Sequence, residues 1–328
     1  MPLIPHSTFQ PALGIGNGHL QTIWPTLFRR VPVITHDRER LELEDGDFVD
    51  LDWARHPSSR RLVILTHGLE GHSRDAGMQG MASAFFNEGW DVLAWNMRGC
   101  SGEPNRLLRF YHSGATDDLT GVIEHVADDY EQIGLVGFSL GGNITLKYLA
   151  DAPAENIVTA AAFSVPCDLT SSVNQLDEPG NCIYTMRLIR SLRAKIQEKK
   201  SRFPKDLDVS GLHAMKTFHE FDSAYTAPLH GFSSAEEYWE KSSCRPVLEQ
   251  ISIPTLLINA VNDPFLAPDC FPIEEATRSE FLHLERPASG GHCGFVNCRA
   301  AEVSWHEARA VEFLSASYAS AMRSSHLV

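Results

Sequence analysis

Short apolar runs alternate with helically spaced stretches through the first half of this chain, and that alternation restricts the fold more than any other feature. Leu62-Val63-Ile64-Leu65 is followed by a helical stretch near Met78–Asn87, then by Asp91-Val92-Leu93-Ala94-Trp95. Helical material around Asp118–Asp128 leads to Ile133-Gly134-Leu135-Val136-Gly137, to a helix from about Gly141 to Ala150, and to the apolar run Ile157–Val165. Runs that are apolar throughout belong to strands buried on both faces, and strands separated by helices pair in parallel. The expectation is an α/β chain with a mostly parallel central sheet flanked by helices. Ahead of it, β-like stretches between about 31 and 56, bounded by Asp45-Gly46-Asp47, read as a hairpin. Residues 1–30, rich in Pro, Gly and polar residues, read as an irregular arm.

The alternation stops near Pro166. About 85 residues of mostly helical pattern follow before Pro254-Thr255-Leu256-Leu257-Ile258-Asn259 resumes the strand signal. Phe281-Leu282-His283-Leu284 reads as a last strand and Val303–Ser317 as a closing helix. The simplest organisation is an arm at 1–30, a core at 31–165 and 251–328, and a helical cap inserted at 166–250. Within the cap, Met186 to Lys205 holds eight Lys/Arg and one acid, Glu198, a local charge of +7 in a chain of net charge −14. Ile189, Leu192 and Ile196 follow helical spacing, so this is a basic amphipathic helix, either a solvated face or a contact for anionic lipid or acyl-carrier substrates.

Gly137-Phe138-Ser139-Leu140-Gly141-Gly142 places G-x-S-x-G between a strand and a helix. In so tight a turn, side chains two before and two after the serine would clash, which explains the glycines. The turn lifts the Ser139 hydroxyl above the strand ends and aims the next helix's N-terminus at developing negative charge. A serine nucleophile needs a base, and the base an orienting carboxylate. Asp263 follows the strand Thr255–Ala260, with Asp269 as substitute. His292 lies in Gly290-Gly291-His292-Cys293-Gly294 after the last strand; His283, inside that strand, is the weaker candidate. Two backbone N–H donors are expected to hold the oxyanion: Leu140, after the nucleophile, and Leu69 in Thr66-His67-Gly68-Leu69-Glu70-Gly71. His67 is expected to brace that loop, Arg98 to pair with Asp117 or Asp118, and Cys293 to act as a packing residue.

Together with the elbow, Gly18-His19-Leu20-Gln21-Thr22, His67-Gly68-Leu69-Glu70-Gly71, the segment from Asn96 to Asn105 and Tyr111-His112-Ser113-Gly114 resemble the YheT-like branch of the α/β-hydrolases. That branch includes bacterial esterases and the yeast medium-chain ethyl ester synthase/esterases. Phe221-Asp222 and Thr226-Ala227-Pro228-Leu229-His230-Gly231 fit it too, and the resemblance runs from about residue 10 to 315. It implies an α/β-hydrolase fold and a serine hydrolase cleaving carboxylic esters of short- to medium-chain acyl groups. Ser139, Asp263 and His292 fall on the branch's triad positions. The neighbouring readings are an acylglycerol lipase or phospholipase, an alcohol acyltransferase, and a catalytically silent binding protein of the same fold.

The acidic balance argues against duplex nucleic acid as a partner. No apolar run approaches the ~18 residues of a membrane span, and Met1-Pro2-Leu3-Ile4-Pro5 lacks the pattern of a signal peptide. Seven cysteines without a CxxC pair point to a reducing, cytoplasmic setting, with neither a disulfide framework nor a structural zinc site. The expected partner is a small-molecule ester, and no metal or organic cofactor is expected.

Overall fold

The computed structural model describes residues 3–32, 34–57, 59–151, 153–297 and 303–325. Nine strands form one sheet: β1 (Leu3–Ile4), β2 (Asp37–Glu42), β3 (Phe48–Ala54), β4 (Arg61–Thr66), β5 (Asp91–Asn96), β6 (Gln132–Phe138), β7 (Ile157–Phe163), β8 (Thr255–Ile258) and β9 (Leu282–Glu285). Their spatial order is β1-β9-β8-β7-β6-β4-β5-β3-β2. All neighbours are parallel except β3, which runs antiparallel to both β2 and β5. The apolar runs are explained by burial on both faces: along β4, Leu62 and Ile64 enter one core while Val63 and Leu65 enter the other.

The helices of the core are α1 (Gly18–Phe28), α2 (Ala76–Asn87), α3 (Thr116–Val126) and α4 (Leu140–Ala150). Between β7 and β8 come α5 (Leu169–Asp177), α6 (Cys182–Arg202), α7 (Phe218–Phe221), a π-helical turn at Asp222–Thr226, α8 (Ala227–Leu229) and α9 (Ala235–Ser242). The chain closes with α10 (Ile273–Arg278) and α11 (Trp305–Ser325). Met78, Met81 and Phe85 of α2 and Ala310 and Leu314 of α11 cover one sheet face; α3, α4 and the helices after β7 pack with the other.

Strand order reverses around β4, whose neighbours are β5 and β6. In an open α/β sheet, the loops leaving the carboxyl ends of strands at such a reversal diverge and leave a crevice, the usual place for a ligand.

The stretch read as an irregular arm is not irregular. It contributes β1, parallel to β9, and the eleven-residue α1. The Asn17 side chain caps α1 by accepting the N–H groups of His19 and Leu20 at 2.9 and 3.3 Å. Two features hide this helix from a periodicity reading: Pro25 lies inside it, and of its apolar residues Leu20, Ile23, Leu27 and Phe28 are exposed while Trp24 alone packs on Ala12, Ile15 and Val296.

Candidate active site

The elbow between β6 and α4 holds Ser139 at φ +52°, ψ −119°, a sparsely populated backbone state costing on the order of 1–3 kcal/mol. A Cβ on Gly137 would lie 2.5 Å from the Gly141 carbonyl oxygen, and one on Gly141 would lie 2.3 Å from that of His67. The turn therefore closes only with glycine at both places. The Ser139 N–H still donates to Phe163 O at 2.8 Å, tying the strained residue to β7.

Asp263 and His292 come from the loops after β8 and β9, at the same sheet edge. His292 Nε2 lies 2.9 Å from Ser139 Oγ, and its Nδ1 lies 2.9 and 3.1 Å from the Asp263 oxygens. The Asp263 side chain is fully buried and also accepts the Phe265 N–H at 2.9 Å. The Phe265 ring stacks on the imidazole with centroids 4.0 Å apart. The alternates lie elsewhere: Asp269 pairs with Arg245 at the surface, and His283 of β9 meets Phe313 of α11. Cys293 donates its N–H to Ser164 Oγ, and burial pushes its thiol up to about 12, which suits packing and not nucleophilic attack.

Gly68 packs on the serine: a methyl in its place would lie 3.3 Å from Ser139 Cβ. The adjacent Leu69 N–H has no acceptor among the described residues. Leu140 occupies the first position of α4, where an N–H has no intrahelical acceptor. Next to Leu69, Glu70 adopts φ +54° and is clamped on several sides. Its N–H donates to the Tyr111 hydroxyl, which donates to Glu70 Oε1. Lys195 Nζ of α6 lies 3.0 Å from the same carboxylate. Burial alone would raise the Glu70 pKa, but the Lys195 ammonium and the Ser191 and Tyr111 hydroxyls hold it below its usual value.

His67 braces the loop, with Nδ1 2.8 Å from Gly68 O and Nε2 accepting the Met97 N–H at 3.1 Å. Burial lowers its pKa to about 4. The unfolded chain takes up this proton near pH 6.5, but the folded chain does not until about 4. The stability due to neutral His67 is thus complete above pH 6.5 and lost as pH falls toward 4. His112, held at about 3 by burial, acts in the same direction; Asp222, raised to about 6 by burial, acts oppositely. Urea midpoints measured across this window should fall less steeply in His67→Gln than in the parent, and parallel curves would refute the assignment.

Two further structures were missed in the sequence. Helix α1 supports the histidine loop: Thr22 Oγ1 accepts the His292 N–H at 2.9 Å, and the buried Gln21 amide bonds Ile15 O and the Val296 N–H and carbonyl. A Cβ on Gly294 would fall 2.1 Å from Gln21 O, so helix and loop are in backbone contact. The only sequence signal was the Gly18–Thr22 motif, whose role needs these partners to be visible. The second concerns the basic helix α6, which is not simply a solvated or lipid-facing surface. Lys195 turns to Glu70, the buried Lys199 donates to Asn105 Oδ1 and Leu107 O, and Arg202 donates to Asn105 O. Arg98 forms a two-pronged pair with Asp118 as expected, and also reaches Asp45 and Asp47, which the sequence reading did not include.

Above Ser139 lies a cavity of about 500 Å³, lined by Leu69, Tyr111, Leu169, Leu192, Trp239 and Phe265 among others. Its walls come from both the sheet-edge loops and the helices after β7. Asp222 at its wall is engaged by Thr226 Oγ1 and Trp239 Nε1.

Fold and site define the α/β-hydrolase class. The family model described as Hydrolase_4, serine aminopeptidase, S33, matches residues 57–270. The Escherichia coli protein named "Putative esterase YheT" is 35% identical over 94% of this chain and 93% of its own. Human phospholipase ABHD3 is 28% identical over 88% of this chain and 74% of its own. Among solved structures, the Pyrococcus furiosus esterase PF2001 superposes with a TM-score of 0.58 at 18% identity, over 94% of this chain and 97% of that one; at that identity the likeness concerns the fold alone. The chain belongs to the YheT-like branch of the α/β-hydrolase superfamily, a serine hydrolase family.

Proposed function

We propose that the protein hydrolyses carboxylic esters through an acyl-enzyme formed on Ser139. The observation that carries this reading is the unbroken hydrogen-bonded line from Ser139 through His292 to a fully buried Asp263 beneath a mostly apolar cavity. His292 takes the Ser139 proton as the hydroxyl attacks the ester carbonyl. Asp263 keeps the Nδ1–H tautomer and stabilises the imidazolium. The Leu69 and Leu140 amides receive the oxyanion, and such a donor is worth about 3–4 kcal/mol. His292 then protonates the departing alcohol, and water activated by the same imidazole releases the acid. The helices at 166–250 act as the cap, and their apolar side chains suit short- to medium-chain acyl groups. Of the carboxylates at the wall, Glu70 is occupied by Lys195 and Asp222 by Trp239, while Asp75 stays half-exposed beside His72.

A lipid ester is the second reading, favoured by the similarity to a phospholipase and by the mostly apolar lining. The deciding experiment is a series of p-nitrophenyl esters of increasing acyl length beside dispersed phospholipid, with mass mapping of a fluorophosphonate adduct. We expect one adduct per chain, on the peptide carrying Ser139, and kcat/KM highest for short to medium acyl groups. A protein that takes no label and turns over no ester is not the enzyme proposed.

A further inference from the structure

Helix α1 turns most of its apolar side chains away from the protein, Trp24 excepted. Thr22, Pro25, Thr26 and Arg29 line the cavity. At about 100° per residue, Leu20, Ile23 and Leu27 fall on the opposite side, where all three are exposed, Leu27 at 64%. Phe28 beside them is exposed as well. Ile183 and Met186, at the start of α6, are exposed at 67% and 60%. The two helices meet through His19, whose ring stacks on Tyr184 and whose Nδ1 lies 3.1 Å from its hydroxyl. Eleven large hydrophobic side chains are exposed among the described residues, and six sit on these two neighbouring segments. Single exposed apolar residues are ordinary; a cluster of this kind marks a contact surface.

Charge identifies the partner. No acid occurs before Asp37, although the chain carries 42, and none lies on α6 before Glu198. Arg187 and Arg190 follow the apolar start of α6 on its outer side, both exposed, and neither has an ion-pair partner among the described residues. Elsewhere Arg38, Arg40, Arg98 and Arg245 are each matched to a carboxylate. An apolar stripe edged by unmatched arginines, on a protein otherwise strongly acidic, complements an anionic lipid surface: the stripe enters the headgroup region and the guanidinium groups meet phosphates. The cavity opens at the same place. Of the residues lining it, Thr26 on α1 and Arg187 on α6 are the exposed ones.

We propose that the outer faces of α1 and the first half of α6 dock the protein on an anionic phospholipid surface, with the cavity mouth toward the lipid. Docking is independent of the chemistry assigned to Ser139, so Ser139→Ala protein should bind lipid like the parent, and the two readings can fail separately. The test is co-sedimentation of the full chain with phosphatidylcholine vesicles, with and without phosphatidylglycerol, at low and high salt. Light scattering of the lipid-free protein gives its oligomeric state. Binding should be at least about tenfold stronger with phosphatidylglycerol and weaken with salt. It should fall about tenfold in Leu20→Gln/Leu27→Gln and, separately, about fivefold in Arg190→Gln. Both variants should hydrolyse a water-soluble ester at the parental rate. Equal or absent binding to the two vesicle types overturns the proposal, as does parental binding by either variant. A parent that ignores vesicles but is a dimer, made monomeric by Leu20→Gln/Leu27→Gln, would assign the face to a second copy of the chain instead.

Discussion

Ser139→Ala protein should turn over p-nitrophenyl esters about 10⁶-fold more slowly than the parent and take up no fluorophosphonate label. The size of the effect follows from the site having one nucleophile. Cys293, the nearest other candidate, has a thiol pushed up to about 12 by burial, so it supplies no thiolate at neutral pH. What survives in the alanine protein is binding and oxyanion stabilisation. Asp263→Asn is the companion measurement, expected to lower kcat about 10⁴-fold. An amide N–H facing His292 Nδ1 would move the ring proton to Nε2, the nitrogen 2.9 Å from Ser139 Oγ, and a protonated Nε2 cannot accept the serine proton. Circular dichroism of both proteins should match the parent. Retained turnover in Ser139→Ala would place the chemistry elsewhere.

Gly141→Ala should be among the most damaging single methyl groups that the site can receive. Its Cβ would sit 2.3 Å from His67 O and 2.4 Å from Thr66 O. Both are backbone atoms at the end of β4, the strand hydrogen-bonded to β5 and β6 on its two sides. No rotamer change relieves the overlap; α4 must lift off the sheet, taking Leu140 and the elbow with it. We expect a loss of about 3 kcal/mol or more, read as a lowered denaturation midpoint or insoluble protein. Gly77→Ala, in α2 with nothing within 4 Å of the added carbon, is the control and should be neutral or slightly stabilising. Equal midpoints for the two would mean that the elbow does not need its glycine.

The contrast between these glycines bears on what the residues alone disclose. Gly137 and Gly141 could be read as an elbow because the turn's demand is local: four residues of backbone must pass close to one another, and only glycine allows it. The β4 to β7 strands were legible for a similar reason, since double-sided burial removes polar residues from the run itself. Asp263 and His292 could be placed near Ser139 because each follows a strand by a few residues, and a parallel sheet delivers all such positions to one edge.

Helix α1 shows where that reasoning stops. Its partners are Asn262, His292 and Val296, some 270 residues along the chain for the last two, and all its apolar residues but Trp24 face away from the core, so the period that normally reveals a helix points in the wrong direction. The α6 cations are a second case. Lys195, Lys199 and Arg202 look like Arg187 and Arg190 in sequence, yet the first three turn to Glu70, Asn105 and Leu107 while the other two remain unmatched.

The sequence by itself determined the α/β order, the serine elbow and the strand-end residues that meet it, because each is written in backbone and burial demands spanning a few neighbouring residues. Only the tertiary structure decided which charges are buried pairs, what holds the histidine loop in place, and which side of α1 and α6 is left for a partner. Those depend on groups tens to hundreds of residues apart, and a charge or a leucine carries no local mark of whether its eventual neighbour is a carboxylate, a core or open water.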